Sequence, residues 1–452
     1  MKKIFFYFVL LVLTGCKWEE PVMKTLLGQA GSSSSKIWDK TFGGSKIEFP
    51  RSIISTNDGG FVIVGESDSN ISGDKSENHK GAVRNYWIVK INSNGQKIWD
   101  KTIGGGFEQY PKVVATIDGG FVIAGSSTAD IAGDKSENSK GNSDYWIVKI
   151  NSTGQKVWDK TIGGSGEDQA RSIIATNDGS FIVVGQSDSN ISGDKSENSK
   201  SNGIDYWIVK INSTGQKVWD KTLGGSNADQ ANSIITTNDG GMIVAGWSAS
   251  NISGDKSENS KGSGDYWVVK LNGNGQKIWD KTIGSSGADF LSAIITTTDG
   301  GFLISGTSEV NISGDKTENS KGLRDYWVVK LSGNGQKIWD KTFGGNVDDN
   351  ANNIIATNDG GFVIAGQSES NISGDKSENS KGEADYWILK INSSGQKVWD
   401  KTFGGSDADV NPTIVAIPDG NFVMAGYSKS NISGDKSENS RGESDFWIIK
   451  VK

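Results

Sequence analysis

"SIIATNDGSFIVVG" occupies residues 172–185, and its parts make opposite demands on the chain. "SIIAT" and "FIVVG" are rich in β-branched and apolar residues, which suits extended backbone, and "FIVVG" reads as a strand buried on both faces. Between them Asn177-Asp178-Gly179 accepts positive φ at little cost, which is hairpin chemistry. After Gly185 comes a long polar loop and then "DYWIVKI" (205–211), which alternates, with Trp207 and Val209 on one side and Lys210 on the other. A turn at Asn212–Gly215 leads to "KVWDKT" (217–222). Four strand-like runs, here named A to D in order, therefore make one unit.

The unit recurs. The Trp of "WDKT" falls at Trp38, Trp99, Trp158, Trp219, Trp279, Trp339 and Trp399, at spacings of 59 to 61 residues. Four antiparallel strands in such a period are the mark of a β-propeller blade. The phase of the two ends sharpens this. The repeat begins with a D strand ("KIWDKT", 36–41) and stops at a C strand ("DFWIIKVK", 445–452). Pairing the two completes a seventh blade and removes two sheet edges, whereas an open solenoid would want distinct caps. The expected fold is all-β: a seven-bladed β-propeller of four-stranded blades over residues 36–452, closed by the N-terminal D strand on the C-terminal C strand.

Composition agrees with many short strands and tight turns: Gly is 61 of 452 residues, Pro only 5, and Trp 16, Tyr 9 and Phe 16 supply core material. The net charge is −7 and no basic stripe is present, which argues against nucleic acid as a partner. Cys16 is the only cysteine, which excludes disulfides within the chain and cysteine-based metal sites.

The first residues read as a processing signal. Lys2-Lys3 is a positive n-region and residues 4–13 an apolar run too short to span a bilayer as a helix. Leu13-Thr14-Gly15-Cys16 resembles a bacterial lipobox, which implies cleavage after residues 1–15 and lipid on Cys16. Lys17-Trp18-Glu19-Glu20 resembles the acidic tag that sends Bacteroidota lipoproteins to the cell surface. Residues 16–35 then form a tether that includes Gly31 and four serines. The expectation is an outer-membrane, surface-exposed lipoprotein, monomeric and held on the membrane by its lipid.

The repeat itself resembles the bacterial "beta-propeller repeat" family of secreted and surface proteins. The likeness rests on "W-D-K-T-x-G-G", on the acid before "SII" and on "T-x-D-G-G-F-V-I-x-G", and covers about residues 36–452. It implies a propeller and an envelope location, and no particular reaction. The seventh copy departs at "IPDG" (417–420), where Pro418 stiffens the hairpin.

Strand alternation puts the D–A and B–C connections on one face and the A–B and C–D hairpins on the other. The B–C loop carries "NISGDKSENSKG" (251–262) or a close copy in every blade. In the third copy Asp194, Ser196 and Asn198 stand at alternate positions with Asp205 closing, an oxygen pattern that suits Ca²⁺. The other reading is that these side chains bond local amides and stiffen the loop. No other cofactor is indicated. The Asn70-Ile71-Ser72 sequon has meaning mainly in eukaryotic secretion.

Each D–A connection ends in an acid: Glu48, Glu108, Asp168, Asp229, Asp289, Asp349 and Asp409. These form either a carboxylate ring that attracts cations at a channel mouth or caps for the amides of their own turns. The D–A loops otherwise vary among the copies, as does the residue after the B-strand glycine, such as Glu66, Trp247 and Tyr427. Uniform loops cannot discriminate a ligand and variable ones can. Phe49, Arg51, Phe107, Tyr110, Lys112, Arg171, Trp247, Phe290 and Tyr427 are the candidate contacts, since aromatics and Arg anchor interfaces. Drift in exposed loops would give the same variability.

Catalysis finds little in the sequence. His79 is the only histidine and stands where other copies have Ser, so no nucleophile–base pair is convincing. "T-x-D-G-G" (56–60) faintly resembles the sialidase Asp-box, but the five arginines, Arg51, Arg84, Arg171, Arg324 and Arg441, lie in separate units with no obvious triad. The leading expectation is a non-catalytic, lipid-anchored propeller that binds a protein or polysaccharide. An envelope glycan-processing enzyme and a calcium-stabilised structural or adhesion protein are the alternatives.

Overall fold

The computed structural model describes residues 35–81, 84–200 and 203–452; the signal segment, Cys16 and the tether up to Ser34 lie outside them. Among the described residues the regular elements are strands, 28 in all, in seven antiparallel sheets of four. Blades are numbered by their A strands, which begin at Glu48, Glu108, Asp168, Asp229, Asp289, Asp349 and Asp409. Successive A strands pack on one another around the axis, so A is innermost and D outermost.

Blade three shows how the sequence makes the unit. Its strands are Asp168–Ala175, Phe181–Ser187, Asp205–Ile211 and Lys217–Leu223. The A strand starts four residues before "SIIAT" because a bulge at Arg171 lets pairing continue on its far side, with Ala170 opposite Gly185 and Ser172 opposite Val184. The A–B hairpin turns on Gly179, at φ 75°, and Asp178 accepts the amide of Ser180 at 3.0 Å.

Blade seven takes its D strand from the other end of the chain. Lys36–Phe42 pairs with Asp445–Val451, placing Asp39 opposite Ile449 and Phe42 opposite Phe446. The ring is closed as the phase of the repeat requires.

Between blades the core is aromatic. The C-strand tryptophan of each blade is fully buried and meets the C-strand Tyr or Phe of the blade before it. Tyr206 and Trp267 have ring centroids 4.7 Å apart, and across the closure Phe446 and Trp87 lie at 4.8 Å. The indole N–H of Trp207 donates to Asp220 of its own D strand at 3.1 Å.

The repeated polar loop is explained by the same aspartate. Asp220 also accepts the amide of Ser196 at 2.9 Å, while Glu197 pairs with Lys221 at 2.7 Å and accepts the amide of Thr222 at 2.9 Å. The buried ammonium of Lys195 donates to Thr222. The sequence "DKSE" therefore fastens the B–C loop to the D strand of its own blade. Gly193, at φ 54°, brings the loop so close to the preceding D–A link that a methyl there would lie 2.3 Å from the Gly163 carbonyl oxygen. Where the ring closes, the same bonds join opposite ends of the chain: Ser437 to Asp39 at 2.8 Å and Lys40 to Glu438 at 2.9 Å.

Removal of Lys36–Phe42 leaves Asp445–Val451 as an open edge and strips these loop partners from blade seven. The expected outcome is a lowered urea midpoint together with concentration-dependent association, read by fluorescence and size-exclusion chromatography. A shortened chain that stays monomeric with an unchanged midpoint would show that closure contributes nothing.

Candidate functional site

Blades are alike except where the A strand begins and the B strand ends, and there blades one to three build a cluster the other described blades lack. Arg84, at the end of the first B–C loop, sits over Phe107 at 5.3 Å and over Phe49 at 5.4 Å. Arg51 lies over Phe49 at 5.5 Å and over Tyr110 at 5.3 Å, and Arg171 closes on Tyr110 at 3.8 Å. Tyr427 of blade seven meets Phe49 edge-on at 5.1 Å. The result is a ladder of alternating rings and guanidinium groups, each contact favourable by quadrupole attraction.

Local backbone explains the convergence. Arg51 and Arg171 occupy the bulge of their A strands, which frees them from cross-strand pairing. Blade two has Pro111 at that position, and Tyr110 before it adopts φ 55°, an uncommon conformation for a non-glycine residue. The Tyr110 amide is held by Glu66 at 2.6 Å. Glu66 is buried and also takes Arg51 at 3.0 Å, and Asp68 takes Arg84 through two bonds of 2.9 Å. Arg171 donates to Gln169 at 2.8 Å, with no carboxylate bonded to it among the described residues, and its Nε is buried without a partner.

Of the expected contacts, Phe49, Arg51, Phe107, Tyr110, Arg171 and Tyr427 therefore come together. Lys112 stands beside them, bonded to the Arg51 carbonyl at 2.7 Å. Trp247 lies in blade four against Gly264, and Phe290 in blade five is 43% exposed; neither shares a ring or cation contact with the ladder among the described residues. The reading of five scattered arginines is corrected, since three of them meet here. Their separation in sequence hid this, and Pro111 was the signal that blade two bends differently. A concavity of about 550 Å³ lies on the opposite face between the hairpins of blades three and four, where Asp178, Lys210 and Asn238 repeat in nearly every blade.

The seven acids at the A-strand starts are fully buried and face no channel mouth. Each caps its own D–A turn: Asp168 accepts the Gly164 amide at 2.6 Å and Glu48 that of Gly44 at 2.8 Å. At six blade boundaries a second carboxylate acts on the first or is acted on by it, as Asp144 on Asp168 and Glu48 on Asp445. Oδ1 of Asp144 and of Asp168 is buried without a partner. Burial pushes Asp168, Asp229, Asp349, Asp409 and Asp445 up to about 6, their neighbours adding to this. The remaining boundary carries Asn85, which donates to Glu108 at 2.7 Å; burial nevertheless pushes Glu108 up to about 7. Blade one also has His79 where Ser139 elsewhere donates to Asp144.

The oxygens proposed for calcium are engaged by the loop and its neighbours in the fold. Asp194 accepts the Gly163 amide at 3.1 Å and pairs with Lys140, Asn198 accepts the Ile191 amide at 3.0 Å, and Asp205 accepts that of Lys200 at 2.5 Å. Ser196 enters through its amide. Among the described residues no three His, Cys, Asp or Glu side chains form a metal-holding group. The donor set does not fit a calcium loop.

No family model matches the chain. It is similar to the regulatory protein FlaEY of Caulobacter vibrioides, 25% identical over 229 residues, a match that covers 48% of this chain and 24% of that protein. Among solved structures it resembles a protein of unknown function from Dyadobacter fermentans (10% identity, 93% and 99% of the two chains, TM-score 0.46). It also resembles the hydrazine synthase of Kuenenia stuttgartiensis (12% identity, 84% and 94%, TM-score 0.49). The fold assignment rests on the strand pairing itself.

A carboxyl group whose pKa is higher folded than unfolded holds its proton more tightly when folded, so its contribution to stability falls as pH rises from about 4 through about 6. The exposed hairpin acids run the other way: Lys90 holds Asp58 down to about 2, so these stay ionised above pH 4.5. The urea midpoint is therefore expected to be higher at pH 5 than at pH 7.5. Asp144→Asn, copying Asn85, is expected to stabilise at pH 7.5 by on the order of 1 kcal/mol and to narrow the difference. Equal midpoints at the two pH values would mean that the boundaries hold no extra protons.

Proposed function

We propose that this chain is a non-catalytic, lipid-anchored propeller of the bacterial envelope, akin to surface lipoproteins with beta-propeller repeats, that binds a protein or polysaccharide partner through its loop-rich face. The ladder from Phe107 to Arg171 is the observation that carries the reading. It is confined to one sector of an otherwise uniform ring, and it is made of the residue types that anchor interfaces. Its arginines are already stacked and, for Arg51 and Arg84, paired with Glu66 and Asp68. A partner would meet side chains whose rotamer freedom is largely spent before binding, which lowers the cost of association.

The non-catalytic part is supported by the setting of the acids with raised pKa. All but Asp255, part-exposed in the fourth B–C loop beside Lys200, are sealed at blade boundaries, where a substrate has no access. The envelope location is supported by the lipobox-like end of the leader, Leu13 to Cys16, and by the acidic residues after it.

The test is a glycan array together with a pull-down from outer-membrane extract. Phe49→Ala and Tyr110→Ala are expected to weaken any partner found by about 2 kcal/mol or more, roughly thirtyfold, whereas alanine at the exposed Ile117 of the opposite face leaves it unchanged. Binding that survives both ladder substitutions would place the contact elsewhere.

A further inference from the structure

The axial cavity, about 200 Å³, is walled by the A strands of all seven blades, and Lys112 is the one charged side chain among its lining residues. The equivalent positions in the other blades carry Ser52, Ser172, Ser233, Ala293, Asn353 and Thr413. A single ammonium thus stands in a collar of hydroxyl and amide groups with no acid in the wall. Its bonded partner is the Arg51 carbonyl. Glu66, the carboxylate whose charge reaches it, is already held by Arg51 at 3.0 Å.

Asn232 and Asn352 line the same neck, and Oδ1 of each, an acceptor, is buried and unpaired. Arg171, next to the lining Ser172 and near enough for its charge to act on Lys112, has a buried Nε donor that is also unpaired. Buried polar atoms left unpaired are costly and call for a complement. The complement here needs a negative group for Lys112 and Arg171 and more than one O–H or N–H donor for the asparagine oxygens. Sulfate has no donor for those oxygens, and the hydrogen phosphate dianion has one for the two of them. A peptide's terminal carboxylate brings the charge but only its own amide N–H close by, one donor for two oxygens, whereas a sugar acid carries several hydroxyls on one ring.

We infer that the channel neck is a subsite for one carboxylated monosaccharide unit, its carboxylate on Lys112 and Arg171 and its hydroxyls on the serine and asparagine collar. This rests on the binding reading above and names its ligand class. Such a unit is either a free sugar acid or the end of an acidic polysaccharide whose next units run over the ladder. Burial, with Arg51 and Arg171 adding to it, lowers Lys112 to about 8, so the ammonium is present at pH 7 and is lost above that value. Arg51, Arg171 and Glu66 are the charged groups that face it.

The test uses the full chain in detergent with D-glucuronate, a short oligoglucuronide, D-glucose and inorganic phosphate, followed by calorimetry and thermal shift. Glucuronate or the oligomer is expected to bind and raise the melting temperature, glucose and phosphate are not, and affinity is expected to fall between pH 7 and pH 9.5. Binding by both acids identifies a free ligand as sufficient; binding by the oligomer alone assigns the site to a chain end. Lys112→Ser copies the residue of both neighbouring blades, so the ring is expected to fold, and it is expected to cost at least about tenfold in affinity. Arg171→Gln is the second variant and is expected to act in the same direction. The proposal is overturned if neither acid binds, if phosphate binds as well as glucuronate, or if both variants bind as the parent does. A partner still captured through Phe49 and Tyr110 in that case would leave the broader reading standing while this one fell.

Discussion

The fold depends on a seam. Sheets in a ring have no edges only if the last sheet is completed, and here the missing strand, Lys36–Phe42, arrives from the start of the chain. What makes the seam equivalent to the other blades is not pairing alone. Asp39 accepts the Trp447 indole at 3.1 Å and the Ser437 amide at 2.8 Å, across roughly 400 residues of chain. Within blade three the same two bonds to Asp220 span far less sequence. The closing contact carries the larger loop-closure entropy, and its reward comes only when six blades stand ready to receive it.

That constraint explains the sameness of the polar loop. Each of Asp194, Lys195, Ser196, Glu197 and Asn198 has a bond to make, to its own D strand, its own loop or the link before it. A change at any of them leaves a donor or acceptor stranded, some of them fully buried, as Lys195 is. Seven copies of one solution cost less than seven different ones. The corollary is that the oxygens of Asp194, Glu197 and Asn198 are already engaged within the protein, which suits a stiffened loop better than a calcium loop.

How much of this was legible varies with distance along the chain. Period, hairpins and closure follow from neighbours in sequence and from the phase of the ends, and each appears in the strand pairing. The ladder was only half visible. Residue types suggested Phe49, Arg51, Tyr110 and Arg171, but Arg84 joins them from the far end of a loop, and Trp247 and Phe290 share no ring or cation contact with them among the described residues. The burial of the A-strand acids was open for the same reason: whether Asp168 meets water is decided by the previous blade, where Asp144 stands, and not by its own surroundings in sequence.

Variation gathers at the start of the A strand for a physical reason. The bulge at Arg51, Arg171 and their equivalents removes one residue from the ladder of backbone pairing in five blades and two in blades two and seven, so these side chains are free of register. The neighbouring Tyr110 shows how far this freedom extends: with Pro111 in place of a bulged residue the backbone reaches positive φ, and an acceptor from the blade before, Glu66, secures it. In blade seven Asn411 and Pro412 repeat the conformation, with Gln367 as the acceptor at 3.0 Å, yet no aromatic ring results. The same backbone device therefore serves different side chains. It supplies positions where chemistry can change without touching the seam, and arginine and aromatic residues have accumulated at those positions in blades one to three.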